Sequence, residues 1–149
     1  MKKLLVLIAI AGLGFQSFAY DPVNEKLIES FKTSFPHAGQ VRWLENGTSF
    51  IVAFVEDNIR ARAYYNKDGD LVQLIRYYKD AQLPFAVLHV IQKQFDGKQI
   101  FGVVEVTTID GKKNVETVYN VKLVDAHTWT TVKIDAQGNA VVTQKLRKA

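Results

Sequence analysis

The chain has 149 residues, no cysteine, three histidines and a formal charge of +4. Without cysteine there are no disulfides and no thiolate metal site, so the fold must rest on an apolar core. So weak a basic balance also lacks the strong cationic stripe of a nucleic-acid binder, and no nucleic-acid partner is expected.

Met1-Lys2-Lys3 is a short positive start, residues 4–15 are almost wholly apolar, and Ser17 and Ala19 are small. This pattern predicts a secretory signal peptide over residues 1–19, cut after Ala19. A membrane anchor would need a longer apolar run and a basic stop-transfer group. The expected location is therefore periplasmic or secreted, with no membrane span after cleavage. About 130 residues remain, enough for one domain or two small packed halves. With Lys2 and Lys3 gone the charge falls to +2.

Asp21-Pro22 suits a helix start, with Asp as cap and Pro at the first helical position. Leu27, Ile28, Phe31 and Phe35 recur at helical spacing, and Pro36 ends the helix near Ser34. Residues 41–44 read as a strand and Asn46-Gly47 as a hairpin turn. Three further strands follow over 50–55, 59–65 and 71–78, parted by Asp, Asn and Gly. Pro84 opens a second helix with Val87, Leu88, Ile91 and Phe95 on its apolar stripe, closed by Asp96-Gly97. Strands are then predicted over 99–108, 115–124, 128–134 and 140–146.

The two halves align. Leu27, Ile28, Phe31 and Phe35 fall on Val87, Leu88, Ile91 and Phe95 at a shift of 60. Beyond the first hairpin, Phe50, Val52 and Phe54 fall on Tyr119, Val121 and Leu123 at a shift of 69. One longer hairpin around 107–116 accounts for the change. The expected fold class is α+β. A unit of one helix plus a four-stranded antiparallel sheet is duplicated over 20–80 and 81–149, with the helices on one face. Whether the two sheets join is left open.

A helix ending in Phe35-Pro36, then Val41-x-Trp43, Phe50-x-Val52-x-Phe54, Ala63-x-Tyr65 before Asp68-Gly69, and Leu83-Pro84 form a recognisable set. The chain resembles the secreted bacterial PepSY-like proteins, also called β-lactamase-inhibitor-like proteins. The resemblance implies an antiparallel sheet carrying helices on one face. It also implies binding through the open sheet surface, as the name-giving inhibitor binds its enzyme. It supplies no catalytic residues. The second half departs from the pattern, with Val103 where the first has Trp43.

Little else suggests chemistry. Asn66-Lys67-Asp68-Gly69-Asp70 alternates oxygen ligands, but Gly69 precedes Asp70 and Tyr77 stands near the position of the required Glu, so it reads as a turn and not a calcium loop. His37, His89 and His127 are far apart in the sequence, and no serine carries a nucleophile signature. No metal, cofactor or enzymatic activity is expected.

The informative feature is the outer face of the strands. If Phe50, Val52, Phe54, Ala61, Ala63 and Tyr65 face the helices, Arg60, Arg62 and Tyr64 face outward. By the repeat match Trp129, Thr131 and Lys133 do the same, with Lys122 nearby. Aromatic and cationic side chains on a sheet face suit a binding surface, or belong to an ordinary solvated face whose long stems cover apolar atoms. The candidate partner-binding residues are Arg60, Arg62, Tyr64, Lys122, Trp129 and Lys133. The expected function is a non-catalytic module that binds an unidentified protein or small ligand in the cell envelope; the resemblance implies an enzyme-inhibitor-like binder. The alternative is a small-ligand carrier whose pocket lies between helix and sheet, lined by Phe31, Phe35 and Trp43.

Overall fold

The computed structural model describes residues 22–46, 49–79 and 82–149. The expected signal peptide, the cap at Asp21 and the turn residue Gly47 lie outside the described residues. Period-two alternation becomes eight strands: β1 (Gly39–Asn46), β2 (Ser49–Glu56), β3 (Ile59–Tyr65), β4 (Leu71–Tyr78), β5 (Gln99–Ile109), β6 (Val115–Val124), β7 (Thr128–Asp135) and β8 (Ala140–Arg147). Helix α1 (Pro22–Ser34) precedes β1, and α2 (Phe85–Gln94) connects β4 to β5.

These strands correct the expected fold class. A duplicated helix-plus-four-strand unit is not what the chain builds: the protein is mostly one antiparallel sheet of eight strands, in the order β1 to β8, with two short helices. Strands β4 and β5 pair from Gln73↔Thr108 to Tyr78↔Val103 without a break. The physical reason is the edge. Two separate four-stranded sheets would leave the outer-edge backbone donors and acceptors of β4 and β5 unpaired, whereas joining them pairs both edges and leaves β1 and β8 as the edges of the described sheet.

Opposed residues share a sheet face, so the register fixes where the core sits. One row runs Val52↔Ala63↔Leu74↔Thr107, and another runs Tyr78↔Val103↔Val121↔Val132. Both rows carry buried side chains and lie on the same face, which is the face both helices cover. Under α1, Leu27, Phe31 and Phe35 pack with Val52, Phe54, Ala61, Ala63, Tyr65 and Leu74. Under α2, Val87, Val90 and Ile91 pack with Val103, Val121, Leu123, Val132 and Ile134. The first core is aromatic. The Phe31 ring lies 5.4 Å from Phe35, 5.4 Å from Trp43 and 5.2 Å from Phe54, and Phe35 lies 4.7 Å from Phe54. These rings fill the space where the ligand-carrier alternative puts its pocket.

Between the two cores, on the same face, a polar seam interrupts the apolar surface. Glu105 is buried there, accepting from the Arg76 guanidinium and the Tyr78 hydroxyl, both at 2.7 Å.

Three hairpins close with one turn chemistry. In the turns after β3, β5 and β7, Asn66, Asp110 and Asp135 each use one side-chain oxygen to accept backbone amides two and four residues on. The fourth residue of each turn has positive φ: Gly69 at 79°, Lys113 at 66° and Gly138 at 85°. Side-chain capping of a left-handed turn residue explains Asn66 to Asp70 fully. Two of these turns also touch the helices. The Lys26 ammonium donates to the Asp68 carbonyl at 2.6 Å, and Gly138 lies beside Val90.

Candidate functional site

The side chains left over by the core form the other face of the sheet, which neither described helix covers. Its rows follow from the same register. One runs Arg42↔Ala53↔Arg62↔Ile75↔Val106↔Val118. The next runs Val55↔Arg60↔Tyr77↔Val104↔Asn120↔Lys133. The centre of the face is therefore aliphatic, made by Ile75, Val104, Val106 and Val118, all partly buried by their neighbours. Cations and aromatics stand at both ends.

Toward β8 the side chains form a cluster. The Trp129 and Phe101 rings meet edge to face at 5.0 Å. The Lys122 ammonium lies 4.8 Å from the Trp129 ring centre and 5.7 Å from that of Phe101, and the Lys148 ammonium lies 5.2 Å from Trp129. Leu146, directly opposite Trp129 on β8, is exposed. A ring face attracts a cation, and edge-to-face rings prefer this spacing, so the four side chains hold one another in place. Phe101 nevertheless remains 63% exposed.

Toward β1 the arginines gather. Arg42, Arg60 and Arg62, with Tyr77, line a shallow concavity of about 520 Å³. Arg62 lies 5.9 Å from the Tyr77 ring centre.

The six residues singled out in the sequence all lie on this face, but the structure does not bring them together. Trp129 and Lys122 meet in the β8-side cluster. Arg60 and Arg62 share the arginine concavity. Tyr64 sits in the adjoining row, opposite Ile51 and Gln73, and is partly buried. Lys133 is exposed and stands in the row of Arg60, four strands away.

Sequence reasoning missed four participants. Phe101 escapes because the β5–β6 register shifts between Ile100 and Gly102. Strict alternation from buried Val103 would turn Phe101 inward, and the bulge turns it out. Gly102 inside a strand is the signal for that bulge. Lys148 follows the last strand, and its amide donates to the His127 carbonyl at 2.9 Å, which carries its side chain over Trp129. Arg42 and Tyr77 were legible by alternation once β1 and β4 were placed.

Among the described residues no group of three or more His, Asp or Glu side chains is arranged to hold a metal. No described helix is long and apolar enough to cross a membrane.

No family profile matches the chain, and no curated protein matches it. Solved structures do match. A BLIP-like protein from Bacteroides fragilis superposes with a TM-score of 0.64 at 14% identity, over 88% of this chain and 92% of that one. A DUF2874 family protein from Bacteroides uniformis gives 0.58 at 13% identity, over 82% and 87%. A protein from Bacteroides eggerthii, described as a candidate periplasmic protein, gives 0.58 at 14%, over 86% and 89%. None of these names carries the PepSY-like part of the resemblance. Identities this low speak to architecture alone, and the fold of this chain is that of the BLIP-like and DUF2874 structures.

Proposed function

We propose that this chain is a non-catalytic binding module of the cell envelope that takes a protein partner on the open face of its sheet. The observation that carries this reading is the Phe101–Trp129–Lys122 cluster. Two large rings and a cation are held in fixed geometry on a face the fold does not need to expose. Aromatic residues anchored in this way are the side chains that dominate protein interfaces. The aliphatic centre of the sheet gives such a contact its apolar middle, and the cations at both ends give it a polar rim. The fold supports the same reading, since one neighbour is a BLIP-like protein and another is described as a candidate periplasmic protein. A small-ligand carrier is less well supported, because aromatic rings occupy the space beneath α1.

The test places a photo-crosslinking residue at position 101, on the open face, or at position 85, exposed on α2. In living cells, position 101 should yield a discrete protein adduct and position 85 should not. Equal labelling from both positions, or none from 101, would reject the open-face reading.

A further inference from the structure

Three of the five arginines in the chain line one concavity on the open face. The register explains how it forms. Arg42 on β1 and Arg62 on β3 flank Ala53 on β2 in one row, and Arg60 stands opposite Val55 in the next. A methyl group between two long side chains leaves a dip. Its floor is Ala53 and Val55, and Tyr77 stands at its β4 side.

The charge in this dip is not balanced from within. Among the described residues, neither Arg42, Arg60 nor Arg62 has an ion pair or a side-chain hydrogen bond; the contact of Arg62 with the Tyr77 ring involves no anion. Arg76 and Lys98, by contrast, each have a carboxylate. Glu56 and Asp57, at the hairpin turn beside Arg60, make no ion pair with the three arginines, and the carboxylates on the open-face rows are distant. Asp135 shares the row of Arg62 but stands four strands off, about 19 Å at ~4.8 Å per strand. Glu116 is three strands from Arg62, about 14 Å by the same spacing. Both separations exceed the screening length of about 8 Å at physiological salt.

We propose that the arginine concavity is a subsite for carboxylate side chains of an acidic, partly apolar surface on the protein partner. This rests on the docking reading above and gives the partner its chemistry. Guanidinium groups present paired donors that match a carboxylate, and Arg62 is already oriented by Tyr77. The floor of the dip is apolar and continues through Ile75, Val104 and Val106 toward Trp129. A ligand that uses both must carry carboxylates and apolar side chains together, as a protein surface does and a free inorganic anion does not.

The test uses the mature chain and a capped, fluorescein-labelled heptapeptide of alternating Glu and Val, with its Gln-for-Glu counterpart. The acidic peptide should bind, more weakly as salt rises from about 50 to 300 mM, and the Gln peptide should not. The double variant Arg42→Ala/Arg62→Ala should weaken binding at least about tenfold, as loss of two anchors does. Lys93→Ala on α2 should leave it within about twofold. An unchanged melting temperature would show that the double variant is folded. Equal binding of the Gln peptide, or an unaffected double variant, would overturn the assignment. So would inorganic phosphate or heparin binding more tightly than the peptide at the same arginines. Failure here is distinguishable from failure of the docking reading. If crosslinking from position 101 persists undiminished in the double variant, the docking reading stands and the carboxylate subsite falls. If position 101 gives no adduct while the acidic peptide binds through the arginines, the subsite stands and the wider reading falls.

Discussion

The Arg76 guanidinium donates to Glu105 Oε1 at 2.7 Å, on adjacent strands and directly opposite in register, while Tyr78 holds the other carboxylate oxygen. The pair sits between the α1 and α2 cores. Burial, and then the hydrogen bond to Glu105, push the Tyr78 hydroxyl well above its ordinary pKa. Removing Glu105 strands a cation on a partly covered face. Glu105→Ala should destabilise the protein by about 3 kcal/mol, and Tyr78→Phe by about 1.5 kcal/mol. Urea unfolding of both variants checks this. A change below about 0.5 kcal/mol for Glu105→Ala would mean that water screens the pair.

The turn after β5 differs from its two counterparts in one respect. Lys113 adopts the left-handed conformation that Gly69 and Gly138 adopt elsewhere. A side chain there is strained by roughly 1 kcal/mol, which glycine relieves at some loss of unfolded-state order. Lys113→Gly should therefore stabilise the protein by about 0.5 kcal/mol, and Gly138→Lys should destabilise it. Thermal melts of the two variants should move in opposite directions.

Asp125 links two loops. Its carboxylate accepts from the Lys98 ammonium, the Thr128 hydroxyl and the amides of His127 and Thr128. These donors, Lys98 foremost, hold its pKa well below the ordinary 3.8. The folded state thus binds this proton less readily than the unfolded chain. The resulting stabilisation is complete above pH 3.8 and is lost as the pH falls below it toward the folded-state pKa. Melting temperature measured from about pH 6 down to about pH 2 should fall more steeply in the parent than in Asp125→Asn. Parallel curves would show that the Lys98 contact does not persist in solution.

The two faces of the sheet should respond differently to truncation. Phe31 is buried against three other rings, and Phe31→Ala should destabilise by about 3–5 kcal/mol. Arg62 and Lys122 are exposed on the open face, and replacing either with Ala should change stability by no more than about 0.5 kcal/mol. A large loss from Arg62→Ala would mean that the concavity is needed for folding and is not free for a partner.

Most element boundaries were legible because each signal is local. Alternation from Phe50 to Phe54 and from Ala61 to Tyr65 marked strands, and the apolar stripe from Leu27 to Phe35 marked a helix. How the strands assemble was not legible in the same way. The Tyr78↔Val103 pair joins residues on either side of α2, and no local pattern announces it. Alternation does say that Arg60, Arg62 and Tyr64 share a face. It cannot say that Lys122 reaches Trp129, which depends on the β6–β7 register, or that Lys133 stands four strands from Arg60, which depends on pairing across several strands. The bulge at Phe101 shows the limit most plainly, because one extra residue reverses what a period of two implies.

A sheet in which every strand pairs only with its neighbours in the chain has a kinetic consequence. Six of the seven pairings are hairpins, and only β4 with β5 must wait for an intervening helix. Loop-closure entropy is small for each hairpin, so this sheet should have a lower contact order than a Greek-key sandwich of similar size. Ordering can begin in any hairpin and spread strand by strand in either direction. The slow step should be the one long closure, in which β5 finds β4 while α2 settles onto the sheet.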